Sequence, residues 1–187
     1  MHDTQYQPSP LYLRTIRVID AFTYGVGLCV AALMIPLVLG VAYEVFSRYA
    51  MNNPTIWAFD LSYMLYGTIF MLGASFTLLK GAHIRTDMLW QGFSDRRKGM
   101  IDCIAYIVFF FPAMILLFYA SFDNFWDSFL INERSEQTAW RPLLWPFKGV
   151  IPLTCVLLAI QGISEFMKSL YSVRTGREFE HHEAIQI

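Results

Sequence analysis

Charge is what this sequence has least of. Asp, Glu, Lys and Arg make up only 16% of its 187 residues, against about a quarter in an ordinary soluble domain. The two signs nearly cancel, to a net −1, so no basic face exists to neutralise phosphates and nucleic acid is not a partner. Cysteine is scarce too: Cys29, Cys103 and Cys155 sit in three different apolar stretches with no CxxC spacing. They read as small buried hydrophobes rather than ligands or a disulfide framework. None of the four histidines falls inside an apolar run, which leaves a haem held between helices without ligands. Ten-residue alternating segments are missing, which excludes a membrane barrel. The N-terminal region lacks a small-x-small cleavage site after its first apolar run, so a cleaved signal peptide is not expected.

What the chain has in abundance is apolar and aromatic residues, 56% and 17% respectively, with mean hydropathy +0.41. A membrane-crossing helix needs about 20 mostly apolar residues. Four stretches qualify, at about 21–43, 57–79, 103–122 and 149–170, the second containing Asp60 near its start. The last is short unless Lys148 snorkels at one surface and Glu165 lies near the other. The expected fold is therefore an all-α membrane protein: one four-helix domain over residues 1–187, with tails at 1–19 and 171–187. Ten cationic residues flank the spans on the side of both tails and the 80–98 loop, against four (Arg48, Arg134, Arg141, Lys148) on the other. The positive-inside rule then places both termini in the cytoplasm.

Within the spans, Ala21, Gly25 and Cys29 form a small-residue stripe, and Gly67 and Ala74 lie seven apart. Such positions let helix backbones approach closely, either inside the bundle or against a second membrane protein. Pro36 and Pro112 fall mid-span, where kinks are expected. Pro152 sits near the start of the fourth span, where a proline costs little. Asp20, Glu44, Asp60, Lys80, Asp102, Lys148 and Glu165 all lie at or near span ends. No deep carboxylate or broken-helix pair marks a solute path of the chain's own.

Two wet segments hold most of the remaining chemistry. In "KGAHIRTDMLW" (80–90), Ile84, Met88, Leu89 and Phe93 share one helical face while Arg85 and Asp87 point elsewhere. This reads as a turn at Gly81, then a short amphipathic helix on the cytoplasmic membrane surface, with Ser94 capping the next helix. His83 and Asp87 are four apart, but a metal would want further ligands that the spacing does not supply. No catalytic, cofactor or metal site is expected. On the other side, the third helix is expected to run on with Phe122, Trp126, Phe129 and Leu130 on one face. Beyond it, residues 132–152 hold three prolines with Trp140 and Trp145. These tryptophans suit membrane anchoring or a platform for a soluble partner.

At these residues the sequence resembles a known family, the small membrane subunit (Q subunit, DctQ type) of tripartite ATP-independent periplasmic, or TRAP, transporters. "EVFSRYAMNNPTIWAFDLSYML" (44–65) is similar to its Arg-Tyr, Pro-x-x-Trp and acidic pattern. "GAHIRTDML" (81–89) is similar to its Gly-x-His-Ile-x-x-Asp signature. The 132–170 segment is similar to its Glu-x-Ser, Trp-Pro-x-Lys, Ile-Pro and Gln-Gly run. Asp60 departs from the commoner Glu, and Thr154 from the commoner Gly. The resemblance implies a scaffold subunit of a sodium-coupled importer of organic acids in the bacterial inner membrane. It would pack on a large elevator-type subunit, which would carry the sodium coupling, and help dock a periplasmic binding protein. It also implies roles: Arg48, Trp57 and Asp60 would organise the periplasmic end of span two, unless they form an ordinary interface salt bridge. Gly81, His83, Arg85 and Asp87 would fix the cytoplasmic turn. Glu133, Trp140, Trp145 and Lys148 would face partners. The alternative is a stand-alone four-helix exporter of small molecules.

Overall fold

The computed structural model describes residues 9–81 and 94–176. Among them, four helical segments are long and apolar enough to cross a membrane: Pro10–Tyr49, Ala58–Leu79, Asp95–Leu130 and Trp145–Thr175. The first comprises α1 (Pro10–Ala32) and α2 (Met34–Tyr49), and the second is α3 (Ala58–Leu79). The third comprises α4 (Asp95–Ala105), a π turn at Tyr106–Phe110 and α5 (Phe111–Leu130); the fourth is α6 (Trp145–Thr175).

Both mid-span prolines coincide with irregularities. Pro36 has no N–H to offer Ala32, and its ring crowds that carbonyl. The chain breaks at Leu33, whose N–H turns back to the Val30 carbonyl at 3.1 Å. Pro112 follows the π turn, a widened turn in which the Phe111 N–H reaches the Tyr106 carbonyl. The fourth span corrects an expectation. It begins at Trp145 with Pro146 in its first turn, so Pro152 is a buried interior residue and not an N-terminal one. A 31-residue helix is about 46 Å long, longer than the roughly 30 Å hydrocarbon layer. The helix is therefore long enough to extend beyond that layer.

The helix α6 is the hub, packing against α1, α3, α4 and α5. Glycines set several of these approaches by leaving room for a neighbour's ring. The Phe147 ring lies where a Cβ on Gly67 would stand, Phe110 does so at Gly162, and Phe76 at Gly27. At Gly99 the obstacle is backbone, the Ser169 carbonyl, 2.7 Å from the Cβ position. The Ala21–Gly25–Cys29 stripe behaves differently. Ala21 and Cys29 are exposed, and nothing lies within 4 Å of a Cβ on Gly25. Packing inside the bundle is thus corrected for that stripe: α1 meets α3 through Gly27, on another face. Ala74 is half-buried on α3.

Candidate functional site

The bundle carries a polar cluster at each end. The first end gathers the start of α1, the ends of α3 and α6, and the start of α4. Asp20 on α1 faces Gln161, Ser164 and Lys168 on α6. The Ser164 hydroxyl donates to Asp20 Oδ1 at 2.7 Å, and Gln161 Nε2 to the same atom at 3.1 Å. Lys168 Nζ stands 2.8 Å from Asp20 Oδ2 and 2.7 Å from Glu165 Oε1. Gln161 Nε2 also donates to Glu165 Oε1 at 3.1 Å, so one amide bridges both carboxylates. The amide orientation follows from chemistry, because turning it over would set Oε1 against two carboxylates. In this orientation Gln161 Oε1 has no hydrogen-bond partner among the described residues. Gln161, Ser164, Glu165 and Lys168 are all buried. The Tyr12 hydroxyl donates to the Met167 carbonyl and ties the first turn of α1 to the same stretch of α6.

Sequence reading missed this cluster. It counted Lys168 with the cationic flank and placed Glu165 at a surface; in the structure the two are paired inside the bundle. One signal was present. Gln161, Ser164, Glu165, Lys168 and Ser172 recur at three- and four-residue spacing, which is a polar stripe on one helical face.

Gly81 ends α3 at this same end of the bundle. Its φ of 65° is the left-handed conformation that closes a helix C-terminus, and its N–H reaches the Leu78 carbonyl at 3.0 Å. Ser94 stands at the N-cap of α4, but its side chain makes no capping hydrogen bond. His83, Arg85, Asp87 and the expected surface helix lie outside the described residues.

At the opposite end, the residues expected to act together serve three different contacts. Arg48 pairs with Glu44, one turn back, its Nε 2.9 Å from Oε1. The other oxygen of Glu44 accepts the Thr55 N–H at 3.0 Å, so Glu44 also closes the α2–α3 loop. Trp57 stacks on Tyr43, with ring centroids 5.9 Å apart and planes at 19°. Asp60 is fully buried in the first turn of α3, where the helix dipole favours a carboxylate. It pairs not with Arg48 but with the loop between α5 and α6: Ser135 Oγ donates to Oδ1 at 2.7 Å, and the Thr138 hydroxyl donates to Oδ2.

That loop, residues 131–144, is folded back on itself. Arg134 and Leu143 form an isolated antiparallel bridge, the Ser135 N–H reaches the Pro142 carbonyl at 2.8 Å, and Leu144 N–H reaches Glu133 at 2.8 Å. Arg141 adopts a left-handed φ of 48°, the turn that brings Pro142 into register. Glu133 binds Lys148 Nζ at 2.5 Å, which holds its carboxyl below the ordinary carboxylate range. Trp145 packs edge-on against Phe129 at 5.3 Å. Trp140 is exposed beside it in sequence, at the rim. Glu133, Trp145 and Lys148 thus brace the loop from below, while Trp140, Arg134 and Arg141 present outward.

Among known proteins, one family model matches, that of the DctQ component of tripartite ATP-independent periplasmic transporters, over residues 37–171. No curated protein and no solved structure matches the chain.

Proposed function

Because this chain belongs to the DctQ component family of tripartite ATP-independent periplasmic transporters, we propose that it is the static scaffold of a sodium-coupled importer of organic acids. In this reading it packs on the large elevator-type membrane subunit, where the sodium and substrate sites lie. Its outer loop helps dock the periplasmic binding protein, and the complex sits in the bacterial inner membrane. The end bearing Arg14, Arg17, Lys80, Arg96, Arg97 and Arg174 faces the cytoplasm, following the positive-inside rule.

The observation that carries the reading is the family match across residues 37–171, which takes in both end clusters apart from the α1 residues Tyr12 and Asp20. The geometry is compatible with a scaffold. Its buried ionisable groups are all partnered at the ends of the bundle: Lys168 is shared by Glu165 and Asp20 at one end, and Asp60 accepts from Ser135 and Thr138 at the other. A proton- or solute-carrying exporter would instead want a carboxylate near mid-membrane, facing a path. The structured outer loop, braced by Asp60 and Lys148, offers a fixed surface of Arg134, Arg141 and Trp140 to a soluble partner.

A mild-detergent pull-down of the tagged chain from its native membrane tests the proposal. Stoichiometric recovery of a much larger multi-helix membrane protein is expected. Recovery of this chain alone, with solute movement when it is reconstituted by itself, would overturn it.

A further inference from the structure

The loop between α5 and α6 holds an arginine where its backbone favours a different residue. Apart from glycines, the described residues with a left-handed φ are Asn52, Asn132 and Arg141, at 51°, 50° and 48°. Asparagine enters that region readily because its short amide can bond locally, and a long side chain has no such compensation. Nothing in the bundle makes use of the arginine in return. Its side chain is exposed and makes no hydrogen bond or ion pair among the described residues. Its carbonyl accepts from Arg134 Nη1 at 3.2 Å, which sets a second exposed guanidinium beside it. Glu136 is exposed two residues from Arg134, yet it forms no ion pair with either arginine. Trp140, 43% exposed, precedes Arg141.

Depth and bracing decide what these groups meet. Asp123 and Asp127 are exposed on the last two turns of α5, and charged side chains on an outer helix face belong outside the hydrocarbon. Beyond Asp123 the helix continues to Leu130, about 10 Å further. The headgroup layer is only about 5–8 Å thick on each side, so the loop starts beyond it, in water. Asp60 holds Ser135 and Thr138 from below, and the Ser135 N–H holds the Pro142 carbonyl at 2.8 Å. Arg141 lies between these fixed points, so little ordering is left to a partner's arrival.

We propose that Arg141, with Arg134 beside it, recognises carboxylates on the soluble binding protein, and that the left-handed backbone is retained because a guanidinium is needed at that point. The inference deepens the scaffold reading and rests on it. Guanidinium forks match carboxylate oxygens in pairs and stay charged at any physiological pH. Trp and Arg are also the residue types in which interface binding energy concentrates. The complementary partner surface is one rich in Asp and Glu, and a basic surface would be repelled.

The test uses the full chain with the membrane subunit that co-purifies, in phosphatidylcholine nanodiscs, and measures binding of the cognate periplasmic binding protein by biolayer interferometry. Arg141→Asn suits the left-handed turn and removes the guanidinium. Hydrogen-exchange protection across 132–144 should stay at or above the parent's, while binding weakens about tenfold. The parent's affinity should also fall more steeply with added salt than the variant's. Asp123→Asn/Asp127→Asn shifts the charge at the same end by two without touching the loop, and should change binding by less than about twofold. Parent-like binding by Arg141→Asn overturns the inference alone, including where the variant loses bound phosphatidylglycerol instead. Lost protection in that variant would make Arg141 a shaper of the loop, and a large gain in the Asp123/Asp127 variant would mean diffuse attraction only; either overturns it, as do equal salt slopes. A parent complex that does not bind the protein at all would sink the scaffold reading, and this inference with it.

Discussion

Replacing Lys168 with Met should be among the most damaging single changes in the bundle. The side chain keeps its length and loses its charge, leaving Asp20 and Glu165 as two carboxylates without their shared cation. Breaking a buried pair by removing one partner costs about 3–5 kcal/mol. The two carboxylates will not suffer equally. The Asp20 side chain is 26% exposed and can recruit water or headgroups, whereas Glu165 is 4% exposed and cannot. The lower end of the range, about 3 kcal/mol, is therefore expected. For a chain of this size that corresponds to a fall of about 6–12 °C in Tm. Thermal unfolding in detergent, followed by tryptophan fluorescence or size exclusion, measures it. Adding Glu165→Gln removes the stranded charge and should restore about 2 kcal/mol, a coupling that a double-mutant cycle isolates. A single variant within about 2 °C of the parent, or a double variant no better than the single one, would refute the reasoning.

Other expectations follow from the same geometry. Gly99→Val should prevent close docking of α4 on α6, because its Cβ would meet the Ser169 carbonyl at 2.7 Å. Gly25→Ala should be neutral or slightly stabilising, since nothing lies within 4 Å and helical Ala outranks Gly by about 0.5–1 kcal/mol; a shared Tm scan compares the two. Gly81→Val places a β-branched residue at φ 65°, which should cost about 1–2 kcal/mol and lower the yield of any assembled complex. Asp60→Ala leaves the Ser135 and Thr138 hydroxyls without their acceptor. Faster hydrogen exchange or proteolysis across 132–144 is the readout, and unchanged protection would count against Asp60 as the loop's anchor. The Glu133 carboxyl is lowered from 4.5 by its bond to Lys148. Its contribution is thus full above the ordinary value and lost as pH falls through the lower folded one. The stability gap between parent and Glu133→Gln should be flat at neutral pH and close only in acid, at about 0.5 kcal/mol for a half-buried pair near the surface.

How far the sequence could be read depends on the range of the interaction concerned. The helical spans and the proline irregularities were legible, because hydropathy runs and missing N–H groups act within a turn or two. Arg48 and Glu44 are also one turn apart, yet Arg48, Trp57 and Asp60 were grouped by proximity in sequence, and the structure sends them to three separate partners. Asp60 bonds across 75 residues to Ser135, and Asp20 across 144 to Ser164. No local rule reaches that far. What local pattern does show is a demand. Gln161, Glu165 and Lys168 on one face of an otherwise apolar helix require partners, since unpaired they would be costly in hydrocarbon. The face opposite them has to supply polar partners near the headgroups. Asp20, which closes the uncharged stretch Ala21–Tyr43, meets that requirement once α1 and α6 are adjacent.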